Sequence, residues 1–237
     1  MKNNTFLKGI SDGMPICLGY LSVAFAFGIF SVGNGLSVLE ALLISMTNVT
    51  SAGQLAAVPI IVTGGSLYEL AVTQFVINLR YALMSVSLSQ KLHRNVRFAD
   101  KLIIAFVNTD EVFAVSASKG YMLKRNYMFG LIITPFLGWS LGTLLGAVAG
   151  NILPTAVISS LGIAIYAMFM AIVIPEAKKR SQTALCVIFA IALSCVFRYA
   201  PVFAKIPQGF VIIICACIAS ALFAVIMPVP QIESEDK

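Results

Sequence analysis

The chain has 237 residues, of which 59% are hydrophobic and only 11% are charged, against about a quarter charged in a soluble domain. A soluble core cannot bury this much apolar surface, whereas membrane-spanning helices of about 20 apolar residues each can use it. The net charge of +6 does not indicate nucleic-acid binding, because most basic residues lie in short loops beside apolar segments. The composition predicts one polytopic transmembrane domain over residues 1–237, with a frayed polar tail at 231–237.

Eight apolar segments follow one another with short connections. They predict an all-α polytopic membrane protein of about six to eight hydrophobic helices. The five cysteines lie inside these segments with neither metal-ligand nor disulfide spacing, so we predict no metal site and no cofactor. The segments are 14–32, 36–62, 66–90, 102–118, 127–150, 155–175, 181–200 and 207–227.

Two of the eight segments are interrupted by polar residues. Residues 47–54 read TNVTSAGQ and are called the first break; residues 108–111 read NTDE and are called the second break. A polar interruption at membrane depth is tolerated only where protein or a water-filled cavity satisfies the freed backbone groups. Two broken helices in corresponding positions are the sequence pattern that indicates a transporter binding site.

The basic loops bear on whether the broken segments cross the membrane. If all eight segments cross and the N-terminus is cytoplasmic, the most basic loop, 91–101, lies outside, against the positive-inside rule. If both broken segments are re-entrant, the basic loops 91–101, 119–125 and 178–180 are all cytoplasmic. We favour this arrangement, in which the two re-entrant elements enter from opposite faces, as in an inverted repeat. Full spans that are unwound in the middle are the alternative.

The first break carries hydroxyl and amide groups that suit a small zwitterionic ligand. Such groups bond a carboxylate or an ammonium, and a half-helix that begins near Ala52 would direct free N–H groups at a carboxylate. The alternative is a polar kink satisfied by neighbouring helices. The predicted substrate-binding residues of this break are Thr47, Asn48, Thr50, Ser51, Gly53 and Gln54.

The second break contains two adjacent carboxylates, Asp110 and Glu111. Acids at membrane depth are energetically costly, and successive helical residues differ by about 100°, so the two cannot share one partner equally. One could pair with a base while the other takes up a proton. We therefore predict a proton-coupling role for both, against the alternative of an acidic turn at the membrane surface.

The segment 66–90 carries a polar stripe and a central arginine. Arg80 needs an acidic partner or an aqueous cavity, and Asp110 or Glu111 is the natural partner. We predict that Asn78, Arg80 and Tyr81 form one wall of the binding site; a permanent structural ion pair is the alternative. The polar stripe consists of Gln74, Asn78, Tyr81 and Ser85, spaced four, three and four residues apart on one helix face.

Four glycines recur at every fourth position of the segment 127–150. Small residues at this spacing let two membrane helices approach backbone to backbone. We therefore predict that this glycine comb packs against another membrane helix. Its members are Gly138, Gly142, Gly146 and Gly150.

Several of these landmarks occur together in one order. They are P-x-x-x-G-Y and A-F-x-F-G within 15–28, ISMTNVTSAGQ at 44–54, N-L-R-Y at 78–81 and T-D-E at 109–111. In this pattern the chain resembles the AzlC family of branched-chain amino-acid permeases. The resemblance implies export of leucine, isoleucine, valine or their analogues across the bacterial inner membrane, together with a small AzlD-type membrane subunit as partner.

We therefore predict a proton-coupled secondary transporter that exports branched-chain or similar apolar amino acids. Phe25 is predicted to contact the apolar side chain of the substrate. An ion or small-solute channel and a non-transporting structural membrane subunit are the alternatives. An intramembrane enzyme is not expected, because the only histidine, His93, lies in a loop and no lysine lies at mid-span.

Overall fold

A computed structural model of the protein describes residues 4–154, 170, 173–175, 177–178, 180–203 and 206–227. Most of the predicted span 155–175 and the whole of the predicted tail 231–237 lie outside these residues. The described part contains nine α-helices with defined ends and a short 3₁₀ helix at Pro201–Phe203. The α-helices are α1 Phe6–Gly33, α2 Val38–Thr47, α3 Ser51–Val62, α4 Leu67–Lys91, α5 Phe98–Phe106, α6 Asp110–Ala117, α7 Arg125–Ile152, α8 Ser181–Tyr199 and α9 Gln208–Ile226.

Five of these helices, α1, α4, α7, α8 and α9, are long and apolar enough to cross a membrane, and α2 and α3 are shorter apolar helices. The prediction of an all-helical protein with several membrane spans is thereby confirmed. The predicted start of the first span is corrected: α1 begins at Phe6 rather than at residue 14, because the Thr5 hydroxyl caps it by accepting the Lys8 amide N–H.

Helices α1 and α7 form a parallel pair with contacting backbones. A Cβ atom at Gly9 of α1 would collide with the Tyr127 carbonyl of α7, and one at Gly28 with the Thr143 carbonyl. The numbering therefore rises along both helices together. Approach this close is what small residues permit between membrane helices.

The glycine comb lies on the α7 side of this pair. A Cβ atom at Gly146 would collide with the Phe25 carbonyl, and Gly138 and Gly142 face the α1 backbone in the same way. Gly150 is the exception, since a Cβ there would lie at an ordinary contact distance of 3.5 Å from Ile29. The comb thus packs against α1, a helix of the same chain.

The first break separates α2 from α3, and both helices have their outer ends at the C-terminal end of α1. Leu36, which precedes α2, is buried in one cluster with Val58 of α3 and Phe27 of α1. Ile44 of α2 and Leu55 of α3 pack against this cluster. The α2–α3 pair therefore enters and leaves at the same end of the α1–α7 pair.

The second break separates α5 from α6, and these helices have their outer ends at the opposite end of the bundle. Asp100, in the first turn of α5, bonds Arg125, the first residue of α7, at 2.8 Å. The carbonyl of Ala117, the last residue of α6, accepts a hydrogen bond from the Lys91 ammonium. The two broken pairs thus lie at opposite ends.

Basic residues are concentrated at the end where α1 and α7 begin. Asp12 bonds Lys119 at 2.7 Å and Lys8 at 2.8 Å. The His93 amide donates to the Leu123 carbonyl at 2.8 Å, which joins the loop after α4 to the loop before α7. The connections 34–37 and 63–66 at the other end contain no lysine or arginine.

Helix α9 begins against α4 through a buried carboxylate. The Gly209 amide donates to Glu69 Oε1 at 2.8 Å, and Glu69 is 5% exposed. A Cβ atom at Gly209 would lie 2.6 Å from the Thr73 hydroxyl, so only glycine fits there without a shift. Because α9 also packs on α8, this contact fixes both helices to the bundle.

Candidate functional site

Both breaks bond to the polar stripe of α4. The Asn48 amide donates to Gln74 Oε1 at 2.9 Å, and the Gln74 amide donates to the Gly53 carbonyl at 2.8 Å. The Asn108 amide donates to the Ser85 hydroxyl at 3.0 Å. Gln74 and Ser85 are eleven residues apart, about 16 Å along a helix that rises about 1.5 Å per residue. Helix α4 therefore joins the two breaks.

The sequence of each break explains why the helix stops and restarts there. Thr50 is extended, and its hydroxyl accepts the Gly53 amide N–H at 3.0 Å, so it caps α3. Thr109 caps α6 in the same way through the Val112 amide at 3.4 Å. Threonine favours the N-cap because its side chain satisfies an otherwise free amide. Each break thus presents the positive end of a new helix.

The two helix starts face one small cavity of about 70 Å³. Five elements meet there: α1, the first break, α4, the second break and α7. Helix N-termini directed at a common space in the middle of a bundle are a recurrent feature of transporter sites. The cavity is lined by Tyr20, Val49, Thr50, Ser51, Arg80, Tyr81, Thr109, Asp110, Glu111 and Trp139.

Charges of both signs lie in this cavity. Arg80 Nη2 is 2.9 Å from Asp110 Oδ2, and the two side chains are 55% and 45% exposed. Arg80 also donates to the Tyr81 hydroxyl at 3.0 Å. The neighbouring Glu111 has a different partner, since it accepts a hydrogen bond from the Tyr20 hydroxyl. The two adjacent acids are thus divided between a cation and a neutral phenol.

Trp139 provides an unpaired donor at the wall of the cavity. Its ring packs edge-on to Tyr20 with centroids 5.0 Å apart, and the residue is 1% exposed. Its Nε1 atom has no hydrogen-bond partner among the described residues. A buried donor of this kind is energetically costly unless something accepts a hydrogen bond from it.

Six of the twelve predicted substrate-binding and proton-coupling residues line the cavity, and the other six lie outside its lining. The residues that line it are Thr50, Ser51, Arg80, Tyr81, Asp110 and Glu111. Asn48 and Gly53 bond to Gln74 of α4, which is not among the lining residues. Asn78 does not line it; its amide donates to Gln74 at 3.2 Å.

Three residues that were predicted to contact the substrate lie outside the lining of this cavity. The Thr47 hydroxyl bonds back to the Leu43 carbonyl at 2.7 Å, as is common for threonine in a helix, and does not face the cavity. Phe25 packs its backbone against Gly146 of α7 and lines no part of the cavity. Gln54 is 1% exposed inside the bundle and is also absent from the lining.

Sequence reasoning missed Tyr20 and Trp139 as site residues. Both lie in apolar segments, where an aromatic residue usually indicates packing. The one signal was the place of Tyr20 in the P-x-x-x-G-Y motif of residues 15–20. Nothing in the sequence distinguished Trp139 from a packing residue.

Comparison with known proteins identifies the family. The family model described as "AzlC protein" matches residues 15–153, which include most of α1, both breaks, α4 and α7. The chain belongs to the AzlC family. The predicted resemblance is therefore confirmed. No solved structure matches the chain.

Two relatives extend this similarity beyond the region that the family model matches. "Inner membrane protein YgaZ" of Escherichia coli is 30% identical over 230 residues, which cover 93% of this chain and 91% of the relative. An "Uncharacterized membrane protein" of Archaeoglobus fulgidus is 35% identical over 181 residues, covering 76% of this chain and 79% of the relative. The protein is accordingly a membrane protein of the AzlC family with several spans.

Proposed function

We propose that this AzlC-family protein is a secondary transporter that exports branched-chain or similar apolar amino acids across the inner membrane. The observation that carries the proposal is the convergence of both breaks on one cavity that holds an arginine and two acids. A free amino acid is a zwitterion, so its site needs partners for a carboxylate and for an ammonium. The name of the Escherichia coli relative supports the membrane assignment.

We propose that both broken pairs are re-entrant and enter from opposite faces. This arrangement places the basic end of the bundle in the cytoplasm, as the positive-inside rule requires. It is supported by the contacts that hold the outer ends of α2 and α3 at one end of the α1–α7 pair and those of α5 and α6 at the other. The units α1–α3 and α4–α6 would then be related as an inverted repeat.

For the substrate, we propose that the carboxylate lies at the N-terminus of α3, near Ser51 and the Arg80 guanidinium. A helix N-terminus and an arginine both favour an anion. The ammonium would lie toward Asp110 and Glu111. Such a placement would draw Arg80 from Asp110 toward the substrate, so that binding weakens the 2.9 Å ion pair.

We assign proton coupling to the second break, with Glu111 as the acid that exchanges the proton. Arg80 pairs with Asp110, whereas Glu111 accepts a hydrogen bond from the Tyr20 hydroxyl and is not the ion-pair partner of that guanidinium. Proton entry to Glu111 would then accompany substrate exit.

AzlC is not an enzyme family, and the described residues contain no group of three potential metal ligands.

A small AzlD-type subunit is the proposed partner. In the described bundle the glycine comb already packs on α1, so we expect the partner to bind another surface. Flux should therefore be measured with the chain alone and with such a subunit co-expressed. Flux that requires both chains would support the partnership.

The experiment that tests the transporter proposal is leucine flux in proteoliposomes with and without an imposed proton gradient. We expect a saturable flux that the gradient drives and that Glu111→Gln uncouples from the gradient. Asp12→Asn is the matched control, because Asp12 is an acid at the basic end, outside the cavity. A flux that rises linearly with leucine concentration would indicate a channel. Absence of flux with the partner present would indicate a structural subunit.

A further inference from the structure

A second cavity of about 370 Å³ lies beside the first along α1. It shares three lining residues with the small polar cavity: Tyr20, Ser51 and Glu111. The two spaces therefore adjoin at these side chains. Small-molecule pockets usually measure about 300–1,000 Å³, so the polar cavity alone is too small for a whole ligand, and the adjoining space supplies the remainder.

The outer wall of this second cavity is apolar and belongs to one face of α1. Pro15, Gly19 and Val23 are four residues apart, and Ile16 lies beside them. Among the described residues of the lining, Glu111, which is shared with the polar cavity, is the only charged one. We call this surface the α1 groove. It suits a hydrocarbon group whose polar end lies in the first cavity.

Gly19 lies between Pro15 and Val23 in the lining of the α1 groove. A Cβ atom built at Gly19 has no heavy atom within 4 Å, whereas Cβ atoms at Gly13 and Gly28 of the same helix would collide with α7. Packing therefore does not require a glycine at position 19. The absence of a side chain at Gly19 leaves open space between Pro15 and Val23, which lie four residues before and after it.

We propose that the α1 groove binds the aliphatic side chain of the transported amino acid and that Gly19 determines how large that side chain can be. This inference rests on the proposed function, since it divides one amino acid between the two cavities. The polar cavity holds the carboxylate and ammonium, and the groove holds the branched chain. Burial of methyl groups in such a groove favours leucine over alanine.

The test is binding of alanine, valine and leucine to purified wild-type protein, Gly19→Ala and Gly19→Leu, measured by calorimetry. For wild type we expect the tightest binding with leucine. In Gly19→Leu the preference for leucine over alanine should fall by about tenfold or more, because removing room for a few carbons in an apolar pocket has an effect of that size. Alanine binding should be unchanged, and Gly19→Ala should lie between the two.

Two controls separate groove filling from added bulk. Leu18→Phe enlarges the adjacent exposed residue of α1, which does not line the groove. Gly120→Leu adds a side chain at another glycine that has open space around its Cβ position. Both should retain the wild-type order of affinities. Melting temperatures without ligand establish that every variant is folded.

The outcomes distinguish this inference from the function on which it rests. If wild type binds none of the three amino acids, both proposals fail. If wild type binds leucine and Gly19→Leu keeps the same preference, the transporter proposal stands and the groove assignment is overturned. An equal loss of affinity for alanine and leucine in Gly19→Leu would also overturn it, since it would indicate that an acyl chain or another helix occupies the groove.

Discussion

The α1–α7 pair and helix α4 are built on different physical principles. In the most apolar stretch of each helix, 39% of the residues are buried in α1 and 56% in α7, but only 6% in α4. The pair is held by close backbone contact, so added atoms have no room. Helix α4 is held to the breaks by hydrogen bonds through Gln74 and Ser85. The difference indicates that changes in the pair should affect stability most, and that changes at the cavity residue Arg80 of α4 should affect flux.

The largest effect is expected from Gly146→Leu in the pair. Its Cβ would collide with the Phe25 carbonyl, which cannot move without displacing α1. We expect destabilisation by about 3 kcal/mol or more, the upper end of overpacking effects, and loss of monodisperse protein on size-exclusion chromatography. Gly19→Ala is the matched control and should not destabilise the fold. Equal stability of the two variants would contradict the account of the pair.

Arg80→Gln should give the next largest effect, on flux rather than on stability. Without the guanidinium the cavity loses its cation, so we expect leucine flux to fall at least about tenfold, equivalent to about 1.4 kcal/mol. Because the ion pair with Asp110 is half-exposed, thermal stability should change by less than about 1 kcal/mol. Flux assays and melting curves on the same preparation check both parts. Unfolding of Arg80→Gln would assign the arginine to the scaffold instead.

Asn108→Ala tests the bond between the second break and α4. The Asn108 side chain is 2% exposed and donates to Ser85, so we expect a loss of about 1 kcal/mol in the free energy of unfolding. Ser85→Ala removes the other partner of the bond, and the double variant completes a double-mutant cycle that measures the coupling free energy between the two side chains. A coupling free energy near zero would mean that this bond does not hold the break.

The smallest effect is expected from Lys119→Met at the basic end. Asp12 keeps Lys8 and the Tyr127 hydroxyl as partners, so we expect a loss of less than about 1 kcal/mol, reduced further by salt. Melting curves at low and high ionic strength measure it, and flux should be unchanged. A large loss of flux would show that the basic end takes part in transport.

The sequence was sufficient to predict the elements that have a strong physical signature. Apolar length predicted the spans, and polar residues inside apolar segments predicted both breaks. The spacing of Gln74 and Ser85 placed them on one helix face. From the sequence, either Asp110 or Glu111 could be the partner of Arg80. The two acids are adjacent at the start of one helix, and only the orientation of that helix determines which of them faces Arg80. The structure assigns Asp110.

What could not be predicted depends on contacts between distant segments. Tyr20 and Trp139 are 119 positions apart, and only the parallel packing of α1 on α7 places them on one cavity wall. Thr47 carries a hydroxyl of the kind that binds polar ligands, yet this hydroxyl donates a hydrogen bond to the Leu43 carbonyl of its own helix. The role of a polar side chain thus depended on whether its own helix already satisfied it.

The most direct test of the central claim, that both breaks form one binding site, is hydrogen–deuterium exchange of the protein in lipid nanodiscs with and without leucine. We predict that saturating leucine slows exchange in peptides covering residues 48–51 and 107–111 together, and leaves exchange in α7 unchanged. Arg80→Gln should abolish both effects at the same leucine concentration. Protection of one break alone, or of neither, in protein that binds leucine would contradict the account.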